Sequence, residues 1–252
     1  MKIVFAHVRN YANSGDMASC PYQYFKDFFN QFECKFLDIS DALPYEENIV
    51  GKDDCVIVGG GGLDGYHDTW QKRINSLAKR AKISIGWGFG SNRNPKRSNP
   101  ITVSIDYDAF TLVGTRDYKE NKGRYLPCVS CMHPAFKKEY KKVREIGFVM
   151  HRDSIIDASN IPTYAKIATN SMGITRLMEF IGSSKTIESN SYHVCYWASL
   201  FNVPVKRYAF DNNDSRFNNA KFKLEGNNDG FLQECIDLNT KFFNEVKTIL
   251  KG

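Results

Sequence analysis

A histidine stands at the head of an apolar segment in SNSYHVCYWASLFNVPV, residues 189–205. Asn190, Ser191 and Tyr192 come directly before it and are candidates for contacts with a substrate. The pattern predicts a strand that ends here and a helix that begins near Ser191. The free backbone N–H groups at a helix start carry partial positive charge. His193 would add a titratable donor, so the segment predicts a site for an anionic ligand. A histidine satisfied inside the core is the alternative.

A candidate partner for such an anion is the arginine in GTRD, residues 114–117, which follows another predicted strand. A guanidinium group binds a carboxylate or a phosphate through two parallel hydrogen bonds. Arg116 is therefore a candidate ligand of the same anion. The alternative is an ordinary surface turn formed by Arg116 and Asp117.

The segment VIVGGGGLDG, residues 56–65, has the spacing of a dinucleotide-binding loop at Gly60, Gly62 and Gly65. Such loops are followed about 20 residues later by an acidic residue that holds the ribose, and the strand there, ISIGWGFG, has none. We therefore expect no nicotinamide cofactor. We expect instead a strand-to-helix turn in which Gly60, Gly61 and Gly62 offer N–H groups to a phosphate, a carboxylate or a sugar. Close packing of the turn is the alternative.

A polar loop, NSGD, residues 13–16, follows the first predicted strand. Gly15 permits an unusual backbone conformation there, and Asp16 is suited to cap the next helix. Because the loop lies at a strand end, where ligands of parallel sheets bind, Asp16 is equally a candidate for a ligand-facing acid.

Two further clusters contain metal-ligating residue types. CVSCMH, residues 128–133, offers three zinc ligands, but no fourth follows at a suitable spacing, and structural zinc sites have four. In YHD, residues 66–68, capping of the next helix by Asp68 is the expected role. We therefore predict no metal site, and His67 stays a second candidate for a general acid.

These residues need strands and helices to position them, and short β-rich runs alternate with helical patterns along the chain. Such alternation is typical of parallel α/β sheets. Strands are predicted at 2–8, 34–39, 54–60, 82–90, 110–117, 146–152, 185–189 and 203–210, and helices at 67–82, 172–184, 191–202 and 231–250. A basic loop at 93–100 and a polar loop at 211–229 complete the pattern.

The charged stretch 137–145 predicts a connector between two lobes. We expect an α/β fold with two Rossmann-like lobes, residues 1–136 and 146–252, the second of which includes the terminal helix. The ligand cleft should lie between the lobes, beyond the carboxyl ends of the strands.

The composition argues against several classes of protein. A net charge of +6, from 34 Lys and Arg against 28 Asp and Glu, is compatible with an anionic ligand. Without a basic, aromatic-rich face it argues against nucleic acid as a partner. No run approaches the roughly 18 apolar residues of a membrane span, so we expect a cytoplasmic protein with at most peripheral membrane contact. The seven scattered cysteines fit free thiols in a reducing compartment.

Five motifs, NSGD, VIVGGGG, IGWGFG, TLVGTRD and TIESNSYHVCYWASLFNVPV, occur in an order and spacing that resemble the polysaccharide pyruvyl transferase family. The resemblance covers most of the chain, from residue 1 to about residue 210. It implies a two-lobed fold similar to the GT-B glycosyltransferases. It also implies transfer of a pyruvyl group from phosphoenolpyruvate to two hydroxyls of a glycan or lipid-linked sugar in polysaccharide biosynthesis. The product would be a cyclic ketal, with no cofactor besides the donor substrate.

The same resemblance assigns roles to residues by motif. His193 matches the family's helix histidine near the donor phosphate, and Arg116 matches the arginine that holds the donor carboxylate or phosphate. Asn13, Gly15 and Asp16 match its N-terminal loop.

One position departs from that pattern. Many members have arginine two residues before the histidine, where this chain has Ser191, and the change removes a phosphate ligand. Two alternatives stay open: a GT-B-like glycosyltransferase with a nucleotide-sugar donor, and a non-catalytic sugar- or anion-binding protein. In an enzyme, the general acid would be His193 or His67, and a well-placed acid contributes about 10²–10⁴-fold to the rate.

Overall fold

The computed structural model describes residues 1–41, 49–92, 101–119, 122–151, 163, 165–207 and 215–252. The predicted basic loop at 93–100 lies outside these residues. So do the last three residues of the strand predicted at 203–210 and the first four of the loop predicted at 211–229.

Seven strands of the described residues form one parallel sheet. They are β1 (Lys2–His7), β2 (Glu33–Asp38), β3 (Cys55–Val58), β4 (Gly61–Asp64), β5 (Ile83–Ser91), β6 (Leu112–Thr115) and β7 (Arg124–Tyr125). The strand order is β2-β1-β3-β5-β6-β7, and the short β4 pairs with β5. All of these pairs are parallel. The five strands predicted in this half are confirmed, whereas β4 and β7 are not among those predicted.

A second parallel sheet follows in the chain. It contains β8 (Arg144–Met150), β9 (Lys166–Thr169), β10 (Ser184–Ser189) and β11 (Val205–Arg207), in the order β11-β10-β8-β9. Its pairs are parallel as well. The protein is therefore an α/β protein with two parallel sheets, as the alternation of strand and helix patterns predicted.

The helices connect and cover these strands. They are α1 (Ser14–Ala18), α2 (Lys26–Phe29), α3 (Asp68–Arg80), α4 (Ile174–Gly182), α5 (Tyr192–Leu200), α6 (Ser215–Asn218) and α7 (Phe231–Lys251). The four predicted helices correspond to α3, α4, α5 and α7. The region predicted as the loop 211–229 contains α6, so the prediction of a continuous loop there is wrong.

Both faces of the first sheet are covered, as expected for a parallel sheet. Side chains alternate along β1: Ile3 and Phe5 pack on the side of α7, whereas Val4 and Ala6 pack on the side of α3. A separate hydrophobic cluster surrounds α5, whose nine residues are all buried. A helix with apolar residues on every side is one that lies inside a core.

The terminal helix contacts the cores of both sheets. Its first half places Phe231 and Cys235 in the cluster around α5, and its second half places Phe242 in the cluster below the first sheet. Between them, Asn239 Oδ1 accepts a hydrogen bond from Trp87 Nε1 at 2.9 Å. The helix thus packs against the first sheet as well as the second, although the chain division at 137–145 assigned it to the second lobe.

Among the described helices, none combines the length and the apolar character that crossing a membrane requires.

Candidate functional site

A cleft of about 620 Å³ lies at the carboxyl ends of strands from both sheets. Asn92 and Arg116 follow β5 and β6 of the first sheet, and His151 and Ser191 follow β8 and β10 of the second. Ligands of open α/β sheets bind at this edge. The cleft is therefore the candidate ligand site.

His193 lies in the first turn of α5 and lines the cleft, as predicted. The side chain is only 8% exposed. Its Nε2 lies 3.3 Å from Ser19 Oγ and 3.6 Å from Cys128 Sγ. Burial lowers the pKa of His193 well below its usual value, and electrostatic repulsion from Arg116, Arg216 and His151 lowers it further. The ring is therefore neutral at neutral pH in the empty cleft.

The residues before the histidine have different roles. Ser191 is the N-cap residue of α5 but makes no side-chain capping bond, and it lines the cleft together with Tyr192. Asn190 does not line the cleft. Its Oδ1 accepts a hydrogen bond from the backbone N–H of His151 at 2.7 Å, so it fixes the end of β8 beside the end of β10.

Arg116 is buried, not part of a surface turn. The side chain lines the cleft, is 3% exposed, and its Cζ lies 3.9 Å from the ring centroid of Tyr192. Nη2 makes one long bond of 3.5 Å to the Ser91 carbonyl, while Nε and Nη1 have no hydrogen-bond partner among the described residues. Asp117, also buried, accepts from the Ser91 N–H at 2.6 Å. A buried charged donor without a partner is costly, so Arg116 is the clearest sign of an anionic ligand.

Gly90 leaves the space that the Arg116 side chain occupies, a role that was not predicted from the sequence. A Cβ at Gly90, near the end of β5, would lie 2.6 Å from Arg116 Cγ. Such an approach is closer than any side chain tolerates. The glycines of IGWGFG thus serve packing, and the signal that could have revealed this is a glycine close to the end of a buried strand.

The loop NSGD leads into helix α1, and the roles of its residues differ from those predicted. Asn13, and not Asp16, is the N-cap: its Oδ1 accepts from the Gly15 N–H at 3.1 Å. Asn13 and Asp16 both line the cleft. A Cβ at Gly15 would lie 2.3 Å from His193 Nδ1, so Gly15 is needed because the imidazole packs directly on this helix.

The prediction that the turn at Gly60–Gly62 offers the Gly60 N–H group to a ligand is wrong. The Gly60 N–H donates to the Ser19 carbonyl at 3.1 Å, so it is not available to a ligand. The chain then continues as β4, in which Gly61 pairs with Phe89. Of the three glycines only Gly62 lines the cleft. Close packing, the alternative reading, explains Gly60, whose added Cβ would lie 3.2 Å from that of Ser19.

His67 is not a cleft residue, so its assignment as a general acid is wrong. The side chain is exposed, and its Nδ1 accepts from the Thr69 N–H at 3.2 Å. His67, and not Asp68, is thus the N-cap of α3. Asp68 instead accepts hydrogen bonds from the backbone N–H groups of Thr102 and Val103.

Several cleft residues were not found by sequence reasoning. They are Asn10, Tyr66, Trp70, Asn92, His151 and Arg216. The rings of Tyr66 and Trp70 are stacked, with centroids 4.3 Å apart. Asn10, Asn92 and His151 follow strand ends, which is the signal that could have identified them. Arg216 could not be found in this way because it lies on α6, inside a region read as a loop.

The three possible zinc ligands of residues 128–133 contact different partners. Cys128 lies beside His193, Cys131 accepts from Asn239 Nδ2 at 3.4 Å, and His133 Nδ1 accepts from the Ala135 N–H at 3.2 Å. Among the described residues there is no group of three His, Cys, Asp or Glu side chains that could hold a metal ion.

No protein-family model and no curated protein matches the chain. The chain is similar to the crystal structure of an uncharacterized protein from Klebsiella pneumoniae subsp. pneumoniae, with 14% sequence identity and a TM-score of 0.49. The similarity covers 86% of this chain and 87% of that one.

Proposed function

We propose that the protein transfers a pyruvyl group from phosphoenolpyruvate to a sugar of a surface glycan, with the cleft as its active site and the two sheets as GT-B-like lobes. The observation that carries the proposal is the buried Arg116, whose Nε and Nη1 have no hydrogen-bond partner in the part of the chain that the structure describes. A guanidinium group in this state is complementary to a carboxylate or a phosphate. Phosphoenolpyruvate carries both groups on three carbons.

The donor would bind against the basic wall of the cleft, by which we mean the basic lining residues Arg116, His151, His193 and Arg216 together with Ser191 at the start of α5. A small anion with several charges needs several positive or N–H donors at once. Arg216 also supplies a positive charge to a site in which serine stands at the family's arginine position.

The acceptor would bind against the amide and aromatic wall, by which we mean the neutral lining residues Asn10, Asn13 and Asn92 and the stacked pair Tyr66 and Trp70. Side-chain amides donate to and accept from hydroxyl groups, and an aromatic surface packs well on the apolar face of a sugar ring. A neutral polyhydroxylated acceptor suits this wall better than a second anion does.

The reaction requires the transfer of one proton to a carbon atom of the donor. Protonation of the donor's methylene carbon makes a methyl group and an electrophilic centre, which one sugar hydroxyl attacks with loss of its proton. The bond to phosphate then breaks, phosphate leaves, and a second hydroxyl closes the ketal ring as its proton is released. His193 is the candidate acid, and because its ring is neutral in the empty cleft, it must gain its proton when the anion binds.

The alternative with a specific observation in its favour is glycosyl transfer from a nucleotide sugar. The stacked pair Tyr66 and Trp70 would pack on a nucleobase as well as on a sugar ring. The basic wall would then hold the diphosphate.

Calorimetric titration separates these functions. Wild-type protein, Arg116→Ala and the control Arg176→Ala are each titrated with phosphoenolpyruvate and with uridine, guanosine, adenosine and cytidine diphosphates. Arg176 is an exposed residue of α4 outside the cleft. We expect saturable binding of phosphoenolpyruvate that Arg116→Ala loses and Arg176→Ala keeps, with circular dichroism confirming that both variants are folded.

The other outcomes are equally informative. Binding of a nucleoside diphosphate alone would replace pyruvyl transfer by glycosyl transfer. Binding of phosphoenolpyruvate without phosphate release in the presence of any sugar acceptor would indicate a binding protein. Binding of neither class of ligand would overturn the proposal.

A further inference from the structure

A cluster of buried hydrogen-bonding groups lies behind His193, on the side of the ring away from Nδ1. Ser19, at the C-terminal end of α1, is fully buried, and its Oγ lies 3.3 Å from His193 Nε2. Cys128 Sγ lies 3.5 Å from Ser19 Oγ and 3.6 Å from Nε2. None of these groups has a role in the proposed reaction so far.

The hydroxyl proton of Ser19 already takes part in a hydrogen bond. Its hydroxyl donates to the Gly15 carbonyl at 2.7 Å, a bond from the C-cap of α1 back to its first turn. A serine hydroxyl has one proton and two lone pairs. Toward His193, Ser19 Oγ can therefore act only as an acceptor.

The neighbouring donors fit the same arrangement. Trp197 Nε1 donates to Ser130 Oγ at 2.9 Å, and Ser130 Oγ donates to Cys128 Sγ at 3.3 Å. The thiol proton of Cys128 is then left for the second lone pair of Ser19 Oγ. If Nε2 of His193 carried no proton, its lone pair would face a lone pair of the Ser19 oxygen. The only donor then left for Nε2 would be the Cys128 thiol, which is a weak donor.

We infer that Ser19 is a positioning residue that holds the proton of the neutral His193 ring on Nε2, so that Nδ1 keeps its lone pair. A neutral imidazole has one N–H, and the hydrogen bond made by one nitrogen decides the state of the other. Nδ1 makes no hydrogen bond among the described residues and lies against Gly15, where even one added carbon would be too close.

A proton held on Nε2 determines which nitrogen of His193 can take part in the proposed reaction. With Nε2 already protonated, the only proton that His193 can take up with the bound anion is on Nδ1. That step rests on the proposed function. The position of the proton in the empty cleft does not, so the two ideas can fail separately.

The test is nitrogen NMR of the full chain without ligand, labelled with ¹⁵N-histidine, at neutral pH. The chain has five histidines, and His193→Gln identifies the resonances of the ring in question. We expect an N–H resonance for Nε2 and a lone-pair resonance for Nδ1, widely separated in frequency. In Ser19→Ala the two should move toward each other as both tautomers become populated.

The matched control is Ser130→Ala, which removes a hydroxyl that is equally buried and contacts Cys128 but not the imidazole. It should leave both His193 resonances in place. A proton on Nδ1 in the wild-type protein overturns the inference without any variant, even if Ser19→Ala fails to fold. A folded Ser19→Ala with wild-type resonances overturns it as well.

Discussion

The charge state of His193 depends on what occupies the cleft. In the empty protein the buried ring is surrounded by the positive charges of Arg116 and Arg216 and by His151, and its pKa lies well below the usual value. A bound phosphate or carboxylate would offset these positive charges and raise the pKa again. Binding of the anion and uptake of a proton are thus expected to be coupled.

This coupling predicts how affinity depends on pH. Because the complex holds the proton more tightly than the free protein, the affinity for phosphoenolpyruvate should rise as the pH falls from the pKa of the complex toward that of the free protein. The affinity should change by at most about tenfold per pH unit, because His193 takes up at most one proton when the ligand binds. Calorimetry between pH 6 and 8 (about the range in which histidine titrates), in buffers of different ionisation enthalpy, measures the proton uptake directly.

Other titrating groups share the cleft, so the measurement needs a reference. The ligand's own phosphate titrates near pH 6, Asp16 and His151 line the same cleft, and the Cys128 thiol contacts the ring. His193→Gln keeps all of these and removes only the imidazole. Proton uptake should be smaller in this variant by the contribution of the imidazole, and equal uptake in both proteins would show that His193 is not the coupled group.

Residue type and place in the chain predicted part of the site. His193 and Arg116 were found because each follows a strand end and each carries a group that suits an anion. His67 and Gly60 were misassigned for a physical reason. The first uses its ring to cap a helix and the second donates its N–H to Ser19, and neither bond can be read from local sequence.

At the scale of elements, periodicity predicted most of the strands and the long helices. The segment after Ser191 was predicted as a helix and corresponds to α5, and the run at 54–60 was predicted as a strand and corresponds to β3. The segment of β4 has no alternation of apolar and polar side chains, because it begins with two glycines. Its pairing with β5 depends on a tertiary neighbour.

The terminal helix α7 makes one buried polar contact that can be tested. Asn239 Oδ1 accepts from Trp87 Nε1 at 2.9 Å, and its Nδ2 donates to the Pro127 carbonyl at 3.2 Å. Asn239→Ala would leave the indole N–H and this carbonyl unpaired in the core. Each such group costs about 1–3 kcal/mol, so urea denaturation should show a free energy of unfolding lower by at least about 1 kcal/mol.

An exposed asparagine on the same helix provides the comparison. Asn244 lies on the solvent side of α7, and Asn244→Ala should change the free energy of unfolding by no more than about 0.5 kcal/mol. Equal effects of the two substitutions would mean that Asn239 contributes through helix propensity and not through its buried hydrogen bonds.

Over the whole molecule, the cleft brings together residues that are distant in sequence. Asn10, Trp70 and Asn92 belong to loops and a helix of the first sheet, whereas His151 and Arg216 come from the second half of the chain. The fold class followed from the alternation of elements. The composition of the two walls did not, because it depends on which loops meet.

The proposed roles of the basic residues and of the amide and aromatic residues of the cleft predict that donor and acceptor binding can be separated. Trp70→Ala removes one ring of the stacked pair but no charge from the wall around Arg116. The affinity for phosphoenolpyruvate should therefore change less than about twofold. This is within the roughly 0.5 kcal/mol expected of a substitution away from the donor.

Binding of sugars by the same variant gives the other half of that prediction. With phosphoenolpyruvate present at saturation, saturation-transfer NMR on a panel of methyl pyranosides should show contact between the wild-type protein and the ring C–H groups of the sugars that bind. Trp70→Ala should lose this contact, because a flat aromatic surface packs on the apolar face of the ring. Parallel loss of phosphoenolpyruvate affinity would show that Trp70 supports the fold of the whole cleft. Unchanged sugar contact would place the acceptor away from the stacked pair, against the proposed division of the walls.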